Sequence, residues 1–568
     1  MPAVVVAVLV FAAFYLGFRF YSRYLAEKVY RLDPNFVTPA HELKDGVDYV
    51  PTNKHVLFGH HFTSVAGAAP IVGPAIAVYW GWLPALLWVV FGAIFAAGVH
   101  DTGALVTSVR NKGQNIGTLS GSVISGRARS LFLIILFFLL TLVNAVFAVV
   151  MATLFIANPA SVIPAVAVIP IAIVVGQRVY RARSPALIPS LIGLVVLYLM
   201  IPVGQLYPVS VDGLAALVGF TPKTTWVLLI FLYTWFASRL PVWVLLQPRD
   251  YINSHQLFVA LGLIFCGVLV GFDTINAPAV NTYIAQDSPS WFPFLFITIA
   301  CGAISGFHSL VASGTTSKQL DKETDARYVG YLGALGEGSL ALGAILATTA
   351  GIGTAAVWNE KYVDFGTASS GAVDNFVSGV GHFVSHLGIP PELGAIFASV
   401  VVITFAGTTM DTGVRLQRYI FQEVGELIGV RWLARNVTAA TTAGVAAPLA
   451  LALAPGGGEQ GFAFGRLWQL FGTTNQLTAG LTLAVIAVWT AARRCNPAAP
   501  LIPLVFLLFM TVYALLLNLV TFYTQRDWLL LSLDSIILVL SVWLLVEAVM
   551  AFNRLRRAPM AQAVPVER

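Results

Sequence analysis

The sequence predicts an all-α polytopic membrane protein of about fifteen transmembrane helices in a single domain, 1–568, and three observations carry that reading. Of 568 residues 58% are hydrophobic and only 10% charged, with a mean hydropathy of +0.82, which is more apolar surface than one soluble core can hide. Apolar runs of roughly 20 residues, the length that crosses the hydrocarbon as a helix, recur from Pro2 to Ala551 with short polar breaks. Polarity does not alternate within them, which excludes the strands of a membrane barrel.

Taken in order, the runs place helices near 3–20, 56–80, 84–108, 131–157, 162–177, 186–206, 225–246, 255–273, 291–316, 328–350, 391–413, 436–454, 467–490, 500–522 and 528–551. The first, Val4 to Phe20, has no basic region ahead of it and no clear small-residue cleavage site behind it, so it reads as a retained helix rather than a signal peptide. With the N-terminus outside, 27 of the 32 basic residues fall in cytoplasmic segments, among them Arg183, Arg249 and the stretch Arg554 to Arg568. Lys223, Lys361, Arg466 and Arg526 fall outside, and Arg239 falls within a helix. This asymmetry predicts N-out, C-in by the positive-inside rule. It also accounts for the net charge of +6 without a nucleic-acid partner, since no basic–aromatic surface module remains. The longest polar insertions, Leu32 to His55 and Gly351 to Pro391, are too short for a separate soluble domain. Cys266, Cys301 and Cys495 form neither a CxxC nor a zinc spacing.

Two of the helices have weak centres. The one entering near Val56 reaches Gly67 after about 17 Å of helical rise, close to the middle of the bilayer. There Gly67-Ala68-Ala69-Pro70 interrupts it, and Pro70 suits the first turn of a new half-helix. The one entering from the opposite side at Trp291 reaches Cys301-Gly302-Ala303-Ile304-Ser305-Gly306 at similar depth. HHFTSVAG in the first is echoed by FHSLVASG in the second. Unwound backbone at the midplane is tolerated where it lines a cavity, and paired broken helices of opposite direction point to a secondary transporter's binding site. The competing reading is that both glycine clusters serve close helix packing. His60, His61 and His308 flank the breaks. Such groups can carry a proton or counter a carboxylate; ordinary interhelical hydrogen bonding is the alternative, and zinc a weaker one.

Among the other polar groups, His100-Asp101 is a relay or a solvated pair, and Glu337 requires a partner or a proton at its depth. Asp411 and Arg415, four apart, are expected to pair. Asn475 and Gln476 bind substrate or join helices. His382 and His386 form HxxxH without the glutamate of HExxH and are expected on a solvated helix face. With no nucleophile or Walker motif present, no enzyme activity is expected.

Five blocks, GHHFTSVAGAAPIVGPAIAVYWGWLPALLWVVFGAIFAAGVHDTGALVTSVRNKGQNIG, LPVWVLLQPRDYIN, SGTTSKQLDKETDARYVGYLGALGEGSLA, TTMDTGVRLQRYIFQE and LWQLFGTTNQLTAG, run from about His60 to Gly480 and together resemble the carbon starvation protein A family. The resemblance implies a bacterial inner-membrane symporter for pyruvate or small peptides, driven by a proton or sodium gradient. It also implies a LeuT-like core of inverted five-helix repeats, 56–206 and 291–490, with 207–290 and 491–568 as additional helices and a C-terminus shorter than in many relatives. In transporters of that fold, adjacent hydroxyls on the third helix of the second repeat bind sodium with carbonyls of the first broken helix, and Thr408 and Thr409 match that pattern. Expected substrate contacts are His60, His61, Ser64, Gly67, Ala68, Ala69, Gly302, Ser305, Gly306 and His308, with half-helix N-termini at Pro70 and Gly306 facing an anion. Expected coupling groups are Thr408, Thr409, Asp101, Glu337 and Asp411, with no metal and no cofactor. A membrane sensor built on a transporter-like core is the alternative class, and it would need an output domain that the chain does not display.

Overall fold

Helices account for nearly all of a computed structural model of the chain, which describes residues 1–557 except 47, 182–184, 242, 287, 428 and 455–463. Arg183 and the tail from residue 558 onward, both counted in the charge asymmetry, lie outside the described residues. Two isolated bridges, Pro2 with Thr274 and Thr52 with Leu320, are the extended pairings among the described residues.

Eleven described helices are long and apolar enough to cross a membrane, or thirteen if each of two bent pairs counts as one crossing. The expected count of about fifteen is therefore not reached by length and apolarity. The two segments left over are 291–316, which is divided into short pieces, and 436–454, where the helix is only Val437–Ala452. Boundaries are set by side chains that satisfy the first free amides of each helix. Asn53 accepts from the His55 amide at 2.9 Å, Ser125 from Ala128 at 3.1 Å and Asn436 from Ala439 at 3.0 Å.

Three expected boundaries are corrected. The 225–246 segment ends as a helix at Ala237, and the next helix begins at Leu246 rather than 255, running to Gly271. Its first turn holds Pro248, a residue that suits helix starts, so QPRDYIN is buried helix and not loop. Arg249 and Asp250 are accordingly 2% and 1% exposed, whereas Arg249 was expected in a cytoplasmic segment. The 391–413 helix continues as Pro391–Leu427, past the end of its apolar stretch.

Burial divides the bundle into a core and a rim. In the spans Gly126–Ala157, Glu323–Thr349, Pro391–Glu426 and Leu467–Ala492 the most apolar window is 83 to 89% buried, against 28 to 33% for Ala3–Val29, Leu187–Leu206 and Trp528–Arg554. The rim helices therefore face lipid and the polar residues gather between the core ones.

Contacts between distant loops define two faces. On the N-terminal face, the Ile275 amide bonds Met1 O at 2.9 Å and the Asn281 amide bonds Trp80 O at 3.0 Å. On the opposite face, Glu323 accepts from Arg110 Nη2 at 2.7 Å and from the Asp33 amide at 2.6 Å. The segment Ala355–Ser385 forms two helices on the N-terminal face. Between them, the Tyr362 hydroxyl donates to Ala75 O at 2.8 Å, so this hairpin covers the C-terminal end of the first broken helix.

Candidate functional site

The first broken helix consists of Lys54–Val65 and Ala69–Trp80, bent by 51°. Ala66 leaves helical geometry at φ −79, ψ 66. Gly67 is required by close approach, since a Cβ there would lie 2.7 Å from Thr409 Oγ1 and 3.1 Å from the Phe147 ring. Thr409 Oγ1 is buried and has no protein hydrogen-bond partner among the described residues. Its neighbour Thr408 accepts from Asn253 Nδ2 at 2.7 Å. Thr409 thus packs against the break, whereas Thr408 turns to the Leu246–Gly271 helix. Ala68 and Ala69 are buried at the start of the second half, which has no side-chain cap. Ser64 is turned away from the break: its hydroxyl donates back to His60 O at 2.8 Å.

The second break is held differently. Cys301 is extended at φ −79, ψ 144 and Gly302 takes φ +96, a region that favours glycine. Pro70 of the first broken helix lies 3.6 Å from where a Gly302 Cβ would stand, so the two breaks sit side by side. Asn475 fastens the second one: Oδ1 accepts from the Phe307 amide at 3.1 Å, and Nδ2 donates to Ser305 Oγ at 3.1 Å and to Cys301 Sγ at 3.2 Å. Gln476 Nε2 donates to Phe296 O at 2.6 Å and Trp468 Nε1 to Thr298 O at 3.1 Å. Asn475 and Gln476 therefore join helices. Of the two half-helix N-termini, the one at Gly306 already has its Phe307 amide occupied.

Two buried ionisable groups of side chains flank the breaks. In one, Asp101 bridges two imidazoles, His100 Nδ1 at 2.6 Å and His308 Nδ1 at 2.9 Å. The other nitrogen of His308 lies 3.1 Å from Glu337 Oε2. All four are at most 1% exposed. One imidazole between two carboxylates is a place for a proton: with both carboxylates ionised the His308 set carries −1 with the imidazole protonated and −2 without, so protonation lowers the buried charge.

In the other, Arg249 Nη1 lies 2.6 Å from Asp411 Oδ2, and the Tyr233 hydroxyl donates to the same oxygen at 2.9 Å. The expected Asp411–Arg415 pair is not formed, because Arg415 is drawn to the free carbonyls of Ala237 and Leu240 at the preceding helix end. Asp250 lies beside Thr408 and 3.8 Å from His60 Nδ1. The three histidines that flank the breaks have different partners: His60 faces Asp250, His61 Nδ1 bonds Thr316 Oγ1 at 2.9 Å, and His308 joins Asp101.

Arg249, Asp250, Asn253 and Tyr233 are missing from the site expected from sequence. A signal is present: Asp250, Asn253 and Gln256 recur every three residues, which puts them on one helix face. That face meets Thr408 through Asn253 and Thr404 through Gln256, the latter at 3.0 Å.

Comparison with known proteins agrees with this architecture. The profile of the family described as Carbon starvation protein CstA matches residues 2–364 and 354–514. A peptide transporter CstA of Mycobacterium tuberculosis is 35% identical over 86% of this chain and 71% of that protein. The pyruvate/proton symporter BtsT of Escherichia coli is 30% identical over 91% of this chain and 81% of its own length. Among solved structures, a manganese transporter from Eremococcus coleocola superposes with a TM-score of 0.51 over 90% of this chain and 99% of that one, at 11% identity, a likeness of fold alone.

Proposed function

We propose, from the premise that this chain belongs to the carbon starvation protein CstA family, that it is a proton-coupled importer of a small carboxylate, pyruvate or a short peptide, in a bacterial cytoplasmic membrane. The observation that carries this reading is the meeting of two helix breaks beside the buried Asp101–His308–Glu337 set. The uncapped half-helix at Ala69 and the unpartnered Thr409 hydroxyl offer donors to a substrate carboxylate. The imidazole between two carboxylates holds the driving proton, in keeping with the proton named for the Escherichia coli relative. His60 and Asp250, on the half-helix below the first break and on the helix facing it, respond as that half-helix moves, and the Ala355–Ser385 hairpin closes the N-terminal face. The concentration of basic residues opposite the N-terminus supports the N-terminal face as the external one.

The test is uptake in proteoliposomes of labelled pyruvate and of a labelled dipeptide, with proton and sodium gradients imposed separately. Accumulation of one of them under an inward proton gradient, abolished by a protonophore and by Asp101→Asn, is expected. Accumulation that requires sodium and ignores the proton gradient overturns the proton assignment, and no accumulation of either substrate overturns the substrate class.

A further inference from the structure

On the N-terminal face, away from both breaks, three side chains from separate parts of the chain converge. His382 and His386 stand one turn apart at the end of the Phe365–Ser385 helix, which puts both imidazoles on one side. The sequence leads one to expect them on a solvated face. Instead they turn onto Asp273, just past the end of the Leu246–Gly271 helix, which competes successfully with water for both rings. His382 Nε2 lies 3.2 Å from Oδ1 and His386 Nε2 lies 3.0 Å from Oδ2. The candidate ligand atoms all fall within 4.8 Å of one another.

We propose that Asp273, His382 and His386 form a binding site for a divalent transition ion of the zinc class. Two neutral imidazoles and one carboxylate are a donor set that such ions take, and tetrahedral bonds of about 2.0–2.2 Å separate ligand atoms by roughly 3.3 Å; each imidazole already stands near that distance from one carboxylate oxygen, and the set as a whole, within 4.8 Å, draws together by side-chain rotation. An ion entering the site binds the two Nε2 atoms as neutral imidazoles, each ring then carrying its one proton on Nδ1. The side chains are 39%, 27% and 18% exposed for His382, His386 and Asp273, so solvent reaches the site and water completes the coordination.

Two features make this a built arrangement. Asp273 is held rigidly, since its carbonyl accepts from the Ala3 amide at 2.8 Å and the adjacent Thr274 pairs with Pro2. Gly271 supplies the room: a Cβ there would stand 2.6 Å from His386 Nε2 and 2.8 Å from Asp273 Oδ2. The ion links the hairpin that covers the first broken helix to the Leu246–Gly271 helix and the chain's N-terminus. On the transport reading above, an ion bound there holds the outer face closed and slows uptake; ion binding itself does not depend on that reading.

The experiment is titration of the purified full-length protein, without a histidine tag and stripped of metal by chelator, with Zn2+ by calorimetry and with Co2+ by visible absorption. One equivalent of Zn2+ and the intense visible bands of tetrahedral Co2+ are expected. Affinity should fall roughly tenfold or more in His382→Asn, His386→Asn and Asp273→Asn, and in Gly271→Ala, which keeps all three ligands. Size-exclusion profiles and melting temperatures of the metal-free variants identify any that misfold. Binding unchanged in folded variants, or no saturable binding to wild type, overturns the site. Binding with unaltered uptake overturns only the clamp.

Discussion

The two helix breaks begin from similar sequence and treat their freed polar groups in opposite ways. At the second, Asn475, Gln476 and Trp468 reach across from one neighbouring helix and bond the loosened segment at several points. At the first, the Ala69 end has no side-chain cap and the hydroxyl packed against Gly67 has no partner among the described residues. Leaving a buried polar group unsatisfied costs about 1–3 kcal/mol. At the second break the Phe307 amide is bonded and the buried atoms unpaired among the described residues, Thr298 Oγ1 and Gln476 Oε1, belong to residues outside 301–306, whereas at the first the unpaired Thr409 hydroxyl packs against Gly67 at the break itself, which on the proposed function is the end left for a ligand. Both breaks lie side by side, so position alone does not distinguish scaffold from binding element.

The largest effect expected from disturbing this contrast is at the second break. Asn475→Ala strips partners from the Phe307 amide, Ser305 and Cys301 and should lower stability by about 1–3 kcal/mol, read as a lower melting temperature in detergent and less protein in the membrane. Asn475→Asp, which retains an acceptor for the amide and loses the donors, should fall between. An Asn475→Ala protein that melts like wild type would show that the second break is held by packing alone.

At the first break the effect should appear in transport. Thr409→Val keeps the shape and removes a hydroxyl with no protein hydrogen bond to lose, so stability should change by less than about 0.5 kcal/mol. The apparent KM for driven uptake should rise roughly tenfold, equivalent to about 1.4 kcal/mol of lost binding. A lower melting temperature with unchanged uptake would reverse the assignment and make Thr409 a packing residue.

The smallest expected effect separates the paired histidines. His60 faces Asp250 at 3.8 Å without a hydrogen bond, whereas His61 is tied to Thr316. Glutamine can hydrogen-bond but cannot gain the proton. His60→Gln should therefore alter the dependence of uptake on pH, and His61→Gln should leave it in place. A wild-type profile in His60→Gln would leave coupling to the Asp101–His308–Glu337 set.

Local chemistry explains why part of the site is legible in the sequence. Glycine and proline at positions 67, 70 and 302 weaken a helix through their own backbones, so the breaks and their depth follow from nearby residues. Thr408 and Thr409 are reached through family resemblance, and Glu337 through its depth in an apolar run. QPRDYIN reads as loop because hydropathy counts charge without seeing its partner: Arg249 is tolerated at 2% exposure because Asp411, 162 positions later in the chain, stands 2.6 Å away. The same blindness pairs Asp411 with Arg415 by helical spacing, when helix-end carbonyls offer that arginine a better use.

By itself the sequence determined that the chain is a multi-pass helical membrane protein, where its two weak helices lie, and which family it belongs to. Those properties rest on composition, on the 1.5 Å rise of a helix and on ordered motifs, all of which are linear along the chain. Only the tertiary structure decided which polar groups meet. His60 and His61, adjacent in sequence, point to different partners because successive side chains on a helix diverge by about 100°. Asp273 reaches His382 and His386 across more than a hundred residues. In a low-dielectric interior a buried charge or donor is stable beside the group that satisfies it, however distant in sequence, and packing chooses that group.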